Sequence, residues 1–177
     1  AQGFTKILQN ASNSCKGATL FAYPVKDPER FGIINFDSNF NIESFEEKPK
    51  KAKSKYAITG LYFYDNKVVE ISKGLEFSPR GELEITDINN LYLRQNNISV
   101  EILGRGTAWI DTGTPESLHE AGSFVKTLED RQSLKIGCPE EAAWRMNWID
   151  DEGLINLTKN LKNDYGKYLI DLINANS

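Results

Sequence analysis

The charged segment at 46–51 (EEKPKK) places unlike groups side by side at the end of a predicted strand. Pro49 cannot continue a hydrogen-bonded ladder, so Glu47 and Lys48 are expected at the strand end, where open α/β sheets bind their ligands. A carboxylate and an ammonium group in that position can hold a hydroxyl group and a phosphate next to each other. The alternative, from composition alone, is a solvated hairpin tip.

The segment 109–115 (WIDTGTP) carries a second candidate group, Asp111. Period-two alternation places Trp109 and Asp111 on one face of a predicted strand that ends beside a helix start. A carboxylate at that point either forms a turn or caps the helix, or it is a hard oxygen ligand for Mg²⁺. This ion commonly takes one or two carboxylates together with substrate phosphates.

Arg80 is the third candidate, in a loop that is broken by Pro79 and Gly81 and runs into a predicted helix. Its planar guanidinium group is suited to a phosphate, to which a charge-assisted hydrogen bond contributes about 1.5 to 3 kcal/mol. The alternative is an exposed loop arginine that binds no ligand.

Other kinds of chemistry are disfavoured by the residues present. His119, the only histidine, has no serine, cysteine or metal-ligand partner at a suitable spacing. Cys15 and Cys138 lie far apart with no CxxC pair, which indicates reduced thiols of a cytoplasmic protein and no zinc site. The glycine-rich segment 104–107 joins two short strands instead of opening a helix, so it predicts a turn and not a phosphate-binding loop.

Composition limits the partners. Of the 177 residues, 21 are Lys or Arg and 25 are Asp or Glu, for a net charge of −4. Such a chain lacks the basic surface that binding to a nucleic-acid polymer requires. No apolar run approaches the roughly 18 residues of a membrane-spanning helix, so no membrane contact is expected.

The elements that must position these groups follow an α/β pattern. Extended segments are predicted at 18–25, 31–37, 41–47, 56–64 and 98–103. The segment 56–64 is almost continuously apolar, which is typical of a strand at the centre of a sheet. A short helix is expected at 4–11, and a helix capped by Thr86 is expected before the last strand. This order favours an α/β sheet.

After Asp111 the pattern becomes wholly helical. The predicted helices are one after the Thr114-Pro115 cap, one from Pro139 through Trp144 and Trp148, and one from Asp150-Asp151-Glu152 that carries Leu154, Leu157 and Leu161. We therefore expect an α/β part over residues 1–113 and a helical part over residues 114–177.

Five blocks of the sequence together resemble bacterial glucose-1-phosphate thymidylyltransferases. They are FGIINFD (31–37), FEEKP (45–49), YAITGLYFYD (56–65), RGELEITDIN (80–89) and WIDTGTPESL (109–118). The resemblance implies part of a Rossmann-like, mixed-sheet nucleotidyltransferase fold with a helical C-terminal region. It also implies an enzyme that makes dTDP-glucose and pyrophosphate from dTTP and glucose 1-phosphate with Mg²⁺, the first step towards dTDP-rhamnose and related deoxysugars.

The resemblance implies roles for the charged candidates. Glu47 resembles the acceptor for a glucose hydroxyl group, and Lys48 and Arg80 resemble the catalytic cations that bind the sugar phosphate. Asp111 resembles one of two aspartates that bind Mg²⁺. Catalysis would then consist mainly of positioning and charge neutralisation, because a sugar-phosphate oxygen attacks the α-phosphorus of the nucleotide in line.

Four further residues acquire roles only through the resemblance. Gly32 would bring the backbone close to the sugar, and Tyr62 would contact it from a strand face shared with Ile58. Arg145 resembles an arginine of a feedback nucleotide site in the helical region. In this family the helical region also contributes to homo-oligomer contacts.

The sequence departs from the family at its start. The family begins with a GxGTRL-type loop that cradles the triphosphate, and no such loop occurs after Ala1, so the resemblance covers roughly the C-terminal three-fifths of the enzyme. We expect the isolated chain to show no turnover. The alternatives are a uridylyl- or cytidylyltransferase, and a non-catalytic module that binds a nucleotide or a sibling subunit.

Overall fold

The apolar, β-branched segments of the chain form a five-stranded mixed sheet in the computed structural model, which describes residues 3–14 and 16–176. The strands are β1 (Ala18–Pro24), β2 (Gly32–Phe36), β3 (Ile42–Glu47), β4 (Tyr56–Tyr64) and β5 (Ile98–Ile102), in the spatial order β3-β2-β4-β1-β5. The β1–β5 pair is parallel, and the other pairs are antiparallel. The predicted α/β class with a mixed sheet is confirmed.

The strand β4 lies at the centre of the sheet, as its apolar sequence predicts. It pairs with β1 from Tyr56 to Tyr64, whereas its register with β2 involves only Tyr56 and Ala57. Gly60 has a φ of 79° opposite the point where the β1 register shifts. A bulge of this kind requires a positive φ, which glycine adopts without the steric cost of a side chain.

Three helices accompany the sheet: α1 (Phe4–Ser14), α2 (Val68–Lys73) and α3 (Ile85–Arg94). The helix α3 packs Ile88 and Tyr92 against Ala18 of β1, and Tyr92 is fully buried. A second apolar cluster, centred on Leu20 and Ile34, lies within the sheet. The sequence pattern did not predict α2.

By contacts the chain divides into two compact units, Ala1–Trp109 and Ile110–Ser177. The second unit contains α4 (Pro115–Gln132), α5 (Pro139–Arg145), α6 (Asp151–Thr158) and α7 (Asp164–Asn176). Its core consists of Cys138, Leu154, Leu169 and Leu172. None of the residues of α4 is buried in the structure. The helix has the predicted cap at Thr114 and the predicted Pro115 at its first position, and Ser117 completes a capping box with Thr114.

Two predicted boundaries in the helical unit are wrong. The helix that begins at Pro139 ends at Arg145 and does not reach Trp148, because Asn147 adopts a left-handed φ of 55°. Trp148 is consequently 75% exposed and does not pack with Trp144 on one helix. The helix predicted to extend through Leu161 likewise ends earlier, because α6 stops at Thr158 and Leu161 lies in the break before α7.

The strand predicted at Trp109-Ile110-Asp111 is also wrong. The turn at 105–106, where Gly106 has a φ of 89°, follows the end of β5, and the residues after it form no ladder within the described part of the chain. Trp109 contacts β4 through its side chain instead, since its indole Nε1 donates to the carbonyl oxygen of Thr59 at 3.1 Å.

The expectation of a reduced Cys15 falls on a residue outside the described part of the chain, whereas Cys138 is a buried free thiol. Among the helices described over 3–14 and 16–176, none combines the length and the apolar character that crossing a membrane requires.

Candidate functional site

The site begins where the last residue of β3 faces the first residue of β2. Glu47 is paired with Gly32 in the strand register. A Cβ atom at position 32 would lie 2.9 Å from Glu47 Oε2 and 3.5 Å from both Ile58 Cδ1 and Thr86 Oγ1. Glycine at this position therefore leaves the space that the Glu47 carboxylate occupies, and the fold brings Gly32, Glu47 and Ile58 together.

The Glu47 carboxylate is oriented from two directions. Thr86 Oγ1 donates a hydrogen bond to Glu47 Oε2 at 2.7 Å, and Arg80 Nη1 lies 3.6 Å from Glu47 Oε1. Thr86 was predicted to cap α3, but the helix begins at Ile85, and the Thr86 hydroxyl group is used to hold the carboxylate. Glu47 is thereby fixed as a hydrogen-bond acceptor with 21% of its side chain exposed.

Arg80 is held by a set of carboxylates. Its Nη1 donates to Glu84 Oε1 at 3.1 Å, and its Nη2 donates to Glu82 Oε2 at 2.9 Å. Glu84 is nearly buried and also accepts from the hydroxyl group of Ser78 at 2.9 Å, whereas Glu82 is 61% exposed. The nearly buried Glu84 fixes the guanidinium group of Arg80. The exposed Glu82 contacts the edge of the same group that solvent and small anions can reach.

Lys48 follows Glu47 in a left-handed backbone conformation, with a φ of 41°. For a residue other than glycine this conformation costs roughly 1 to 2 kcal/mol. The cost is offset in part by a hydrogen bond from the Lys48 amide to the carbonyl oxygen of Phe31 at 3.0 Å. This backbone turn, followed by Pro49, ends β3 where the sequence predicts and leaves the Lys48 side chain exposed.

Tyr62 lies on β4 with its ring stacked on Tyr64 at 5.7 Å between centroids. Burial and, to a smaller extent, the negative charge of Glu47 raise the pKa of Tyr62 to about 12. The phenol is therefore neutral near pH 7, and it can act as a hydrogen-bond donor near the Glu47 carboxylate.

The raised pKa of Tyr62 predicts a loss of stability in alkali. An unfolded tyrosine loses its proton near pH 10, whereas the folded Tyr62 retains it to about pH 12. The folded state binds more protons in this window, so the free energy of unfolding should fall as the pH rises through it. Denaturant unfolding of the parent chain and of Tyr62→Phe between these pH values checks this, because the variant should show a shallower fall. Equal slopes would contradict the prediction.

A cleft of about 650 Å³ lies entirely within the first unit, and Lys48 and Tyr62 are not among the residues that line it. Its polar wall includes Glu47, Arg80, Glu84 and Thr86, and its apolar wall includes Phe45, Leu75, Phe77 and Leu91. The volume falls in the range of small-molecule pockets, roughly 300 to 1,000 Å³. An acceptor carboxylate and a donor guanidinium group at one end suit a ligand with both hydroxyl and phosphate groups.

Gly32→Ala should damage this site while sparing the fold. The new methyl group would lie within 3 Å of Glu47 Oε2 and would displace the carboxylate from Thr86, whereas the backbone φ of Gly32 is one that alanine adopts. The resemblance noted from the sequence predicts glucose 1-phosphate as the ligand, and on that prediction we expect about tenfold weaker binding of it and a change in unfolding free energy below about 1 kcal/mol. Calorimetric titration and denaturant unfolding measure the two effects.

Gly104→Ala is the matched control for that variant, because a Cβ atom there meets nothing within 4 Å. This variant should leave both the affinity for glucose 1-phosphate and the free energy of unfolding unchanged. Full affinity in Gly32→Ala would show that the space between Gly32 and Glu47 has no part in binding.

Asp111 and Arg145 belong to the second unit. Asp111 Oδ2 accepts a hydrogen bond from the Gly113 amide at 3.2 Å, which is a local turn. Arg145 donates from Nε to Glu141 Oε1 at 2.7 Å and lies 5.8 Å from the centre of the Trp144 ring. Arg145 also lines a second cleft, of about 590 Å³, together with the cations Lys135 and Lys167.

Three further residues, Glu82, Glu84 and Thr86, hold Arg80 and Glu47 in place and were not predicted in this role from the sequence. Glu82 and Glu84 follow Arg80 at spacings of two and four, and this alternation of charge was the available signal. Nothing in a single sequence indicates the bond between Thr86 and Glu47, because the two residues lie 39 positions apart.

Comparisons with known proteins identify the family of this chain. The model of the family described as nucleotidyl transferase matches residues 1–127. A glucose-1-phosphate thymidylyltransferase from Neisseria meningitidis is 56% identical over 173 residues, which are 97% of this chain and 60% of that protein. One from Mycobacterium tuberculosis is 52% identical over 164 residues, which are 92% of this chain and 57% of that protein.

A solved structure of a Bacillus anthracis protein, described as a glucose-1-phosphate thymidylyltransferase in complex with sucrose, superposes with a TM-score of 0.61 at 41% identity. The superposition covers 70% of this chain and 49% of the Bacillus anthracis chain. The chain thus spans at most about 60% of the length of the curated relatives named here. Because the family model matches well over half of the chain and includes the whole cleft, this chain belongs to the nucleotidyl transferase family.

Proposed function

We propose that this chain supplies the glucose 1-phosphate-binding part of a glucose-1-phosphate thymidylyltransferase, which converts dTTP and glucose 1-phosphate to dTDP-glucose and pyrophosphate. The observation that carries the proposal is the pair of Glu47 and Arg80, an acceptor and a donor 3.6 Å apart at the end of one cleft. A carboxylate accepts hydrogen bonds from sugar hydroxyl groups, and a guanidinium group donates to phosphate oxygens. The names of the relatives support the same reaction.

In this proposal the chain positions one of the two substrates. Arg80 and Lys48 bind the phosphate of the sugar, while Glu47 and the neutral phenol of Tyr62 bind its hydroxyl groups. Holding the sugar in one orientation directs a phosphate oxygen at the α-phosphorus of the nucleotide, and the cations reduce the repulsion between the two anions. Neither step needs a histidine or serine nucleophile.

Nucleotidyltransferases of this family generally use a divalent metal ion. Among the residues described, no group of three or more His, Cys, Asp or Glu side chains could hold a metal by itself. A single carboxylate nevertheless fits Mg²⁺, which completes its coordination with substrate phosphates and water. We therefore propose Asp111 as one ligand for Mg²⁺, which would neutralise charge on the nucleotide phosphates when bound.

The second unit is proposed to serve regulation and self-association. The proposed feedback nucleotide site at Arg145 rests on the resemblance, because the cleft that Arg145 lines contains four carboxylates, Glu129, Asp130, Asp164 and Asp171, beside its cations. The helix α4 has none of its described residues buried, and the apolar side chain of Leu118 is 60% exposed. An apolar helix face of this kind supports contact with another copy of the chain in a homo-oligomer.

The test completes the chain with the part of the meningococcal relative that it does not cover, and measures pyrophosphate release. We expect release to require both dTTP and glucose 1-phosphate, and to fall strongly when UTP or CTP replaces dTTP. The isolated chain should bind glucose 1-phosphate without turnover. A folded chimera that stays inactive, next to an active meningococcal enzyme, would overturn the proposal in favour of a non-catalytic module.

A further inference from the structure

The strand β3 lies at the edge of the sheet, and a side chain of α3 occupies its outer backbone groups. Asn90 Nδ2 donates to the carbonyl oxygen of Phe45 at 3.1 Å, and Asn90 Oδ1 accepts from the amide of Phe45 at 3.2 Å. An edge strand leaves such N–H and C=O groups unpaired. The Asn90 amide therefore pairs with Phe45 as a residue of a neighbouring strand would.

The second link between α3 and β3 is the bond from Thr86 to Glu47. Thr86 and Asn90 are one helical turn apart and lie on the same helix face, with a rise of about 6 Å between them. Phe45 and Glu47 are two strand residues apart, a rise of about 6.6 Å. Because the two spacings match, both bonds form together, and Asn90 sets the register in which Thr86 meets the carboxylate.

We propose that Asn90 is a positioning residue for Glu47, and through it for the hydroxyl groups of the sugar; this rests on the proposed binding of glucose 1-phosphate. Asn90 lines the cleft, but its amide oxygen and nitrogen are both engaged by the backbone of Phe45. It holds α3 against β3, and α3 presents the Thr86 hydroxyl group to Glu47 Oε2. The side-chain amide supplies the donor and the acceptor that the Phe45 backbone requires from two separate atoms, Nδ2 and Oδ1.

The experiment compares Asn90→Ala with Asn89→Ala in the 177-residue chain. Asn89 is the adjacent residue, is fully buried, and accepts from the Tyr64 hydroxyl group at 2.5 Å, away from β3. Its loss should lower stability without moving Glu47. Calorimetric titration gives the affinities for glucose 1-phosphate and for inorganic phosphate, and thermal unfolding confirms that each variant is folded at the assay temperature.

We expect Asn90→Ala to weaken binding of glucose 1-phosphate about tenfold, as losses of supporting hydrogen bonds do at binding sites. Its affinity for inorganic phosphate should stay within about twofold, because phosphate binding depends on Arg80 and Lys48 and not on the carboxylate. Asn89→Ala should keep both affinities. Asn90→Leu provides a second variant of nearly equal size that adds no charge to the cleft, and it should lose affinity in the same way because it lacks both the donor and the acceptor for Phe45.

Each outcome has a distinct meaning. Unchanged affinity for glucose 1-phosphate in folded Asn90→Ala or Asn90→Leu would overturn the positioning role while leaving the proposed function intact. An equal loss for glucose 1-phosphate and inorganic phosphate would also overturn it, because the effect would then be general. Failure of the unaltered chain to bind glucose 1-phosphate would overturn the proposed function, and the inference with it.

Discussion

Replacing Arg80 with alanine is expected to weaken binding of glucose 1-phosphate about a hundredfold. Charge-assisted hydrogen bonds contribute about 1.5 to 3 kcal/mol each, and two of them correspond to such a factor or more. The substitution also leaves the nearly buried Glu84 without its cation, and it leaves Glu47 facing the incoming phosphate with one positive charge fewer. The two carboxylates that lose their cation, Glu84 and Glu47, then repel the phosphate, so the loss of affinity should exceed that caused by removing an exposed arginine.

Two variants make this result specific. Arg105→Ala removes the same charge from an exposed turn in the first unit, and it should change the affinity by less than about twofold. Arg80→Lys keeps the charge but loses the planar fork, so it should retain an intermediate affinity. Isothermal titration at constant ionic strength measures all three. Equal affinities for Arg80→Ala and Arg105→Ala would remove Arg80 from the proposed site.

Asp111→Asn is expected to lower magnesium-dependent turnover of the completed chimera by more than about a hundredfold. A metal ion at a phosphoryl group stabilises transition-state charge by several kcal/mol, and a neutral amide is a much weaker ligand for Mg²⁺ than a carboxylate. The amide oxygen of asparagine still accepts the hydrogen bond from Gly113, so the substitution keeps this turn contact while it removes the negative charge.

Asp37→Asn is the matched control for this variant. Asp37 also forms a local turn, accepting from the amide of Asn39 at 2.8 Å, and its substitution removes one charge in the same way. It should leave turnover unchanged at every Mg²⁺ concentration. Pyrophosphate release measured over a range of Mg²⁺ concentrations distinguishes the two, and equal activity of Asp111→Asn and the parent chimera would exclude Asp111 as a ligand.

The backbone of the site was predictable because local rules determine it. Alternation and turn residues place the strands within one or two residues of their observed bounds, and Pro49 marks the end of β3. The position of Glu47 at a strand end follows from these features alone. The cap at Thr114 was predictable for the same reason, since a threonine followed directly by proline marks a helix start and the capped amide of Ser117 lies within one helical turn.

The contacts that orient the side chains were not predictable in this way. The partners of Glu47 and Phe45 on α3 lie 39 and 45 positions away, and the helical pattern shows which face of α3 is buried but not which strand atoms it meets. The helix end before Trp148 depends on the left-handed conformation of Asn147, which a single asparagine does not specify.

The amide of Asn90 at the sheet edge has a further consequence, for the solution behaviour of the chain. An open edge strand is a template on which the strand of another molecule can assemble, and this is a common start of aggregation. Asn90 occupies the backbone groups of Phe45 in the middle of β3, and the charged residues that follow, Glu46 to Lys48, discourage pairing beyond it. The side chain that sets the register of α3 therefore also keeps foreign strands from the edge that carries the site.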